Sequence, residues 1–160
     1  MTTPLPRPVV APGRPGAPGC TVEILLVEDN PADVRLTREA LRDAKLATRL
    51  HVVGDGEAAL AFLRHQPPFE AVPRPGIVLL DLNLPRVDGR QVLDELKTDP
   101  SLRTIPVIVL TTSAARDDVL ACYARHANCF VTKPLNFHDF VNAVRIIENF
   151  WLSLVTLPTD

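Results

Sequence analysis

The sequence predicts an α/β fold: a doubly wound sheet of five parallel strands, each followed by a helix. Short β-rich runs alternate with stretches of helical periodicity from residue 22 onward. Runs such as IVLL and VIVL are apolar at every position, the pattern of strands covered on both faces. Parallel strands need crossover connections, and the intervening helical stretches supply them.

The elements follow in order. The strand runs are 22–27, 50–53, 77–80, 107–110 and 129–131, and helices are expected over 31–44, 56–66, 89–98, 114–126 and 136–152. Asn30-Pro31 opens the first helix with a capping residue and a proline at the first helical position, where its missing N–H is harmless. Residues 67–76 (PPFEAVPRPG) form a proline-rich, rigid connection before the third strand. Asn136, with Asp139 three residues on, resembles a capping arrangement for the last helix. There are no internal repeats. Residues 1–20 hold six prolines and three glycines and few large apolar side chains, so they read as a disordered or loosely docked tail. One domain is expected over 21–152, with an apolar arm over 153–160.

Composition excludes several function classes. With 160 residues the chain can bury the core of one domain, and 46% hydrophobic with 22% charged residues is ordinary for a soluble globular protein. A net charge of −2 gives no bulk attraction to nucleic acid or anionic lipid. No apolar run reaches the ~20 residues of a membrane helix, and the amino terminus lacks a signal-peptide core. Cys20, Cys122 and Cys129 are odd in number and lack CxxC spacing, which fits free thiols in a reducing cytoplasm. His51, His65, His126 and His138 are scattered and read as surface or packing residues.

Chemistry collects at the strand ends. Glu28-Asp29 close the first run (ILLVEDNPAD), Asp81 the third (IVLLDLNLPRVDG), Thr111 the fourth (VIVLTTS) and Lys133 the fifth (CFVTKP). In a doubly wound sheet the ligand crevice lies beyond the carboxyl ends of the strands, so parallel strands bring these residues to one edge. Three clustered carboxylates repel one another, and Lys133 neutralises only one of them; a divalent cation would balance the other two. Oxygen donors without cysteine or histidine favour a hard ion, and Mg²⁺ suits a site that keeps waters and meets a phosphate. The backbone carbonyl of Asn83 is a further candidate ligand. A phosphoryl group joined to Asp81 would add about one net negative charge, for which Mg²⁺, Lys133 and the Thr111 hydroxyl are the available stabilisers. Taken singly, an acid pair, a lone Asp, a Lys-Pro and a Thr-Thr are turn or cap residues. The ordered set points to metal-assisted phosphoryl transfer.

Those residues resemble the receiver domain of two-component response regulators, over roughly residues 22–151. The resemblance implies a flavodoxin-like (β/α)5 fold with strand order 2-1-3-4-5. It implies Asp81 as phosphoacceptor, Asp29 and Asp81 binding Mg²⁺ directly, Glu28 acting mainly through water, and Asn83 giving its carbonyl. Thr111 and Lys133 would contact the phosphoryl group, and the Lys133–Pro134 bond would be cis. Phe130 stands at the aromatic switch position, turning inward as Thr111 moves toward the phosphate. Glu28 replaces the commoner Asp. Such a protein is not an enzyme in the usual sense, although it catalyses its own phosphorylation and dephosphorylation.

Finer strings, EDNPAD, IPVIVLTTS and IIENFWLSLVTLP among them, resemble single-domain regulators partnered with bacterial phytochrome-type histidine kinases. The expected partners are therefore a sensor histidine kinase, meeting residues around Asn30, Ala32 and Asp33, and a second copy of this chain. Neither DNA nor a membrane is expected, because no room for a DNA-binding domain follows the last helix. Phe137, Phe140, Val144, Ile147, Trp151 and Leu154 form a helical stripe that the core can absorb, while Phe150, Leu152, Val155 and Leu157 would add a surface for a homodimer. Two other classes compete: a phosphorylation-independent binding module, which the complete residue set disfavours, and an aspartyl-phosphate hydrolase of the haloacid-dehalogenase type. The hydrolase needs a second Asp two residues after the nucleophile, where this chain has Asn83.

Overall fold

The computed structural model describes residues 21–42 and 47–158. The expected tail over 1–20 lies outside the described residues, as do the last two residues of the expected first helix. Five strands and five helices alternate: β1 Val22–Val27, α1 Pro31–Arg42, β2 Thr48–Val53, α2 Gly56–Leu63, β3 Ile77–Leu80, α3 Gly89–Thr98, β4 Val107–Thr111, α4 Arg116–Ala124, β5 Cys129–Thr132 and α5 Phe137–Glu148. A π-helical segment, Asn149–Leu154, continues α5. The strands form one parallel sheet in the order β2-β1-β3-β4-β5. No helix among the described residues is long and apolar enough to cross a membrane.

Side-chain alternation divides the core in two. Leu25, Val27, Val78, Leu80, Val107 and Val109 face one way and pack with residues of α2, α3 and Cys122 of α4. Ile24, Leu26, Ile77, Leu79, Ile108 and Leu110 face the other way and pack with residues of α1 and α5. The central strands are thus buried on both faces, which is why β3 and β4 are apolar at nearly every position.

Caps and turns set the boundaries. Asn30 accepts from Ala32 N at 2.9 Å, and Asn136 accepts from His138 N at 2.8 Å and Asp139 N at 3.3 Å. Helices α2 and α4 end earlier than periodicity suggests. Their chains turn through His65 (φ 52°) and His126 (φ 66°), whose backbone N–H groups donate to Phe62 O and Tyr123 O. The X-Pro expectation at Lys133–Pro134 is corrected: the cis bond among the described residues is Pro67–Pro68. The intrinsic preference between X-Pro isomers is only about 0.5–1 kcal/mol, so local surroundings decide it.

The carboxyl-terminal stripe also departs from a straight α-helical reading. Phe140, Val144 and Ile147 are buried, but Phe137 and Leu154 are 64% and 74% exposed, and Trp151 is half-buried. Leu152 and Leu157 are buried instead, at 3% each. The wider π turn shifts the phase of the helix, so Leu152 takes the inward place that a 3.6-residue period gives to Trp151.

One close approach positions the site. Helix α3 starts at Gly89, whose N–H donates to Leu82 O at 2.9 Å, and the Asp88 side chain caps Arg90 N at 2.8 Å. A Cβ on Gly89 would lie 2.2 Å from Asp81 O and 2.6 Å from Leu82 Cα. The start of α3 is therefore pressed against the backbone that carries Asp81. Gly89→Ala is expected to lower unfolding free energy by about 2–3 kcal/mol, measured by urea denaturation; an unchanged midpoint would contradict this packing.

Candidate functional site

The pocket is built where β1 and β3 lie side by side and their connections leave toward opposite faces of the sheet. Backbone bonds fix the height of each side chain. Glu28 N donates to Val53 O at 3.0 Å, Asp81 N to Val27 O at 3.1 Å, and Lys133 N to Thr111 O at 2.6 Å. The ends of β1 and β3, and those of β4 and β5, are thereby level, and Glu28, Asp29, Asp81 and Lys133 meet from three different strand ends.

Lys133 is the centre of the arrangement. Its ammonium, 4% exposed as a side chain, donates to Glu28 Oε2 at 2.5 Å, Asp33 Oδ2 at 2.8 Å and Asp81 Oδ2 at 3.0 Å. Burial is the strongest single influence on this amine and depresses its pKa; the hydrogen bonds to Asp33 and Glu28 and the nearby negative charges together outweigh it, so the pKa lies above the usual lysine value. At Glu28 burial wins over the partners instead. Burial dominates and pushes it up to about 7, against the lowering effects of Lys133 and of Asn30 N, which donates to Glu28 Oε1 at 3.0 Å.

Glu28, Asp29 and Asp81 offer carboxylate oxygens that all lie within 4.8 Å of one another. Glu28 and Asp81 are buried, and Asp29 is exposed. Thr111 is fully buried, and its Oγ1 has no hydrogen-bond partner among the described residues. A hydroxyl left unbonded in the core costs about 1–3 kcal/mol, so a polar group that arrives within reach is welcome there. Asn83 is exposed and donates its backbone N–H to Asp81 Oδ1 at 3.2 Å. Phe130 is half-buried, pairs with Val109 across the sheet, and packs against the first core cluster. These donors fit a hard divalent cation: three close carboxylates, one solvent-facing, and neither sulfur nor imidazole among them.

Asp33 belongs to this cluster although its sequence context suggested only a surface residue. Its signal was the third acid of EDNPAD, in the first turn of α1, which the fold carries over the end of the sheet. With it, four carboxylates share one ammonium, so the cluster retains a negative charge even beside a divalent cation. Beyond the pocket a second network holds the loop after β4. Ser113 Oγ donates to Asp118 Oδ2 at 2.5 Å, and Arg90 bridges Asp118 and Asp88 at 2.7 Å and 3.3 Å.

The raised Glu28 pKa makes a signed claim. The native state without metal holds a proton that the unfolded chain releases near 4.5, so this group's contribution to stability is complete below pH 4.5 and is lost as pH rises toward about 7. Glu28→Gln keeps an acceptor for Lys133 without a charge. In metal-free buffer it should be more stable than the parent by about 2–3 kcal/mol at pH 7.5, with the gap closing near pH 5, by urea denaturation. A gap independent of pH would contradict the assignment.

Known proteins share this sequence pattern and fold. Residues 24–145 match the family described as response regulator receiver domain. Response regulator Rcp1 of Synechocystis sp. is 53% identical over 135 residues, which cover 84% of this chain and 92% of that protein. The crystal structure of the Mn²⁺-bound form of Rcp1 superposes with a TM-score of 0.84 at 51% identity, covering 86% of this chain and 99% of that one. The crystal structure of the phosphorylated cyanobacterial phytochrome response regulator RcpA gives 0.86 at 46% identity, covering 88% and 100%. With its fold, the acid cluster at the strand ends and these matches, the chain belongs to the response regulator receiver family and is related to the phytochrome response regulators.

Proposed function

We propose that this response regulator accepts a phosphoryl group from a sensor histidine kinase of phytochrome type onto Asp81, with Mg²⁺, and thereby switches a protein-interaction surface or relays the phosphate onward. The observation that carries this reading is the buried Lys133 ammonium within hydrogen-bond distance of Asp81 and Glu28, beside a third carboxylate on Asp29. The likeness to a Mn²⁺-bound and to a phosphorylated regulator supports it.

In this reading Asp29, Asp81 and the Asn83 carbonyl hold Mg²⁺, and Glu28 acts through water. Bound there, the cation screens the charge of the phosphoryl oxygens. A carboxylate oxygen of Asp81 attacks the phosphorus of a phosphohistidine; the P–O bond forms, the P–N bond breaks, and the imidazole leaves with the electron pair. The exchange adds about one negative charge to the pocket. Lys133 answers it with an ammonium, and Thr111 with the buried hydroxyl that has no partner among the described residues. As Thr111 turns toward the phosphoryl group, Phe130 turns inward from its half-buried position. Asn30 and Ala32, exposed at the start of α1, meet the helix bundle of the kinase, with Asp33 beside them.

The carboxyl-terminal helix supplies the second interaction. Ile146, Phe150 and Leu154 are 59%, 49% and 74% exposed and lie within nine residues of one another. We read them, with half-buried Trp151, as part of a homodimer contact.

Two measurements test these statements. Incubation with acetyl phosphate and Mg²⁺, followed by intact mass, is expected to give one phosphoryl adduct that Asp81→Asn and a chelator each abolish. An adduct retained in Asp81→Asn sinks the assignment, and turnover of unrelated phosphate esters would indicate a hydrolase. Light scattering at micromolar concentration is expected to report a dimer, and Phe150→Asp with Leu154→Asp a monomer; a parent chain that is monomeric removes the dimer.

A further inference from the structure

The Lys133 ammonium has three N–H bonds, and each is already committed: to Glu28, Asp33 and Asp81. A phosphoryl oxygen can engage it only if one of these acceptors lets go. The three are not equivalent. Glu28 and Asp81 are 3% and 8% exposed as side chains, and each accepts a further backbone N–H, from Asn30 and Asn83 respectively. Asp33 is 20% exposed, the most accessible to water, so its carboxylate is the cheapest to rehydrate. Its backbone is fixed all the same. Asp33 N–H donates to Asn30 Oδ1 at 3.4 Å, and Thr37 Oγ1, nearly inaccessible, donates to Asp33 O at 2.8 Å. Asp33 therefore reaches Lys133 from α1, not from the sheet that carries the other two.

We infer that Asp33 is a positioning residue that competes with the incoming phosphoryl group for the Lys133 ammonium, and so lowers the affinity of the pocket for that group. The inference rests on the reading of Asp81 as phosphoacceptor. Releasing Asp33 costs a charge-assisted hydrogen bond, and that cost is subtracted from whatever Lys133 gains on the phosphoryl oxygen. The residual Asp33 charge repels the phosphoryl group in the same direction. Because Asp33 sits in the first turn of α1, contact made at exposed Asn30 and Ala32 acts on the same carboxylate.

Beryllofluoride, an inorganic mimic of an aspartyl phosphoryl group, tests this without chemistry. Its affinity is measured by calorimetry at saturating Mg²⁺ for the parent chain and for Asp33→Asn, Asp33→Ala and Asp33→Glu, with circular dichroism confirming that each is folded. Asp33→Asn and Asp33→Ala are expected to bind about threefold to tenfold more tightly, the scale of one partly exposed ion pair, while Asp33→Glu returns toward the parent value. Loss of mere structural support would weaken binding, so the sign separates the two roles. Equal or weaker binding in both folded neutral variants overturns the inference and leaves the Asp81 assignment standing. A parent chain that binds no beryllofluoride at all overturns the Asp81 assignment, and the inference falls with it.

Discussion

Three carboxylates and one ammonium are packed where water has little access, with the carboxylate of Asp29 beside them open to solvent, and the rest of the molecule is arranged so that this can happen. An ion in a dry interior is stable only when its partners are close and correctly aimed, because desolvation costs several kcal/mol per ion. Lys133 meets that condition through three acceptors on three different elements: the end of β1, the first turn of α1 and the residue after β3. None of these is near Lys133 in sequence. The contacts exist because the parallel register levels the strand ends and because α1 turns back over the sheet directly after the acid pair. The excess of negative charge suits a hard cation, and in the proposed reading the Thr111 hydroxyl, without a partner among the described residues, bonds to the arriving phosphoryl oxygen.

Much of this was legible in the chain. The strand positions followed from apolar runs bounded by polar residues; β1 and β3 match the expected spans, and β4 and β5 each extend by one residue. Asn30 and Asn136 cap as their neighbours imply. Glu28, Asp29, Asp81 and Lys133 were identifiable because strand ends in a parallel sheet share an edge, whatever the loops between them do. Asp33 was not, since its place in the site depends on the angle at which α1 leaves β1, and no local pattern encodes that angle. The ends of α2 and α4 were overestimated for a related reason: a left-handed turn at a histidine carries no signal in hydrophobic periodicity. The burial of Leu152 depended on a π turn, which shifts the later residues on the helix by about one place, and Leu157 is buried from the extended chain beyond it.

Tight packing on one side of the pocket contrasts with the loops on the other. Under Asp81 the start of α3 leaves no room for a methyl group, so the backbone that carries the phosphoacceptor of the proposed reading is held in place, while Asn83 N–H and the Lys133 ammonium aim its carboxylate. Across the pocket, the loop after β4 is tied to α3 and α4 through Ser113, Asp118 and Arg90, all partly accessible to solvent. A rigid floor and a polar, solvent-reachable wall suit a site in which one side chain keeps its place while its neighbours rearrange.

The burial of Leu157 bears on how the protein can be handled and fused. Its side chain contacts the second core cluster next to Gly76, one residue before the last described position. A fusion partner joined directly after Leu157 would begin at the edge of the hydrophobic interior, so a linker belongs between it and that packed leucine. Cleavage between Leu154 and Leu157 would likewise take a side chain out of the core, so a chain intact through Leu157 is a condition for the face of the sheet covered by α1 and α5 to stay closed.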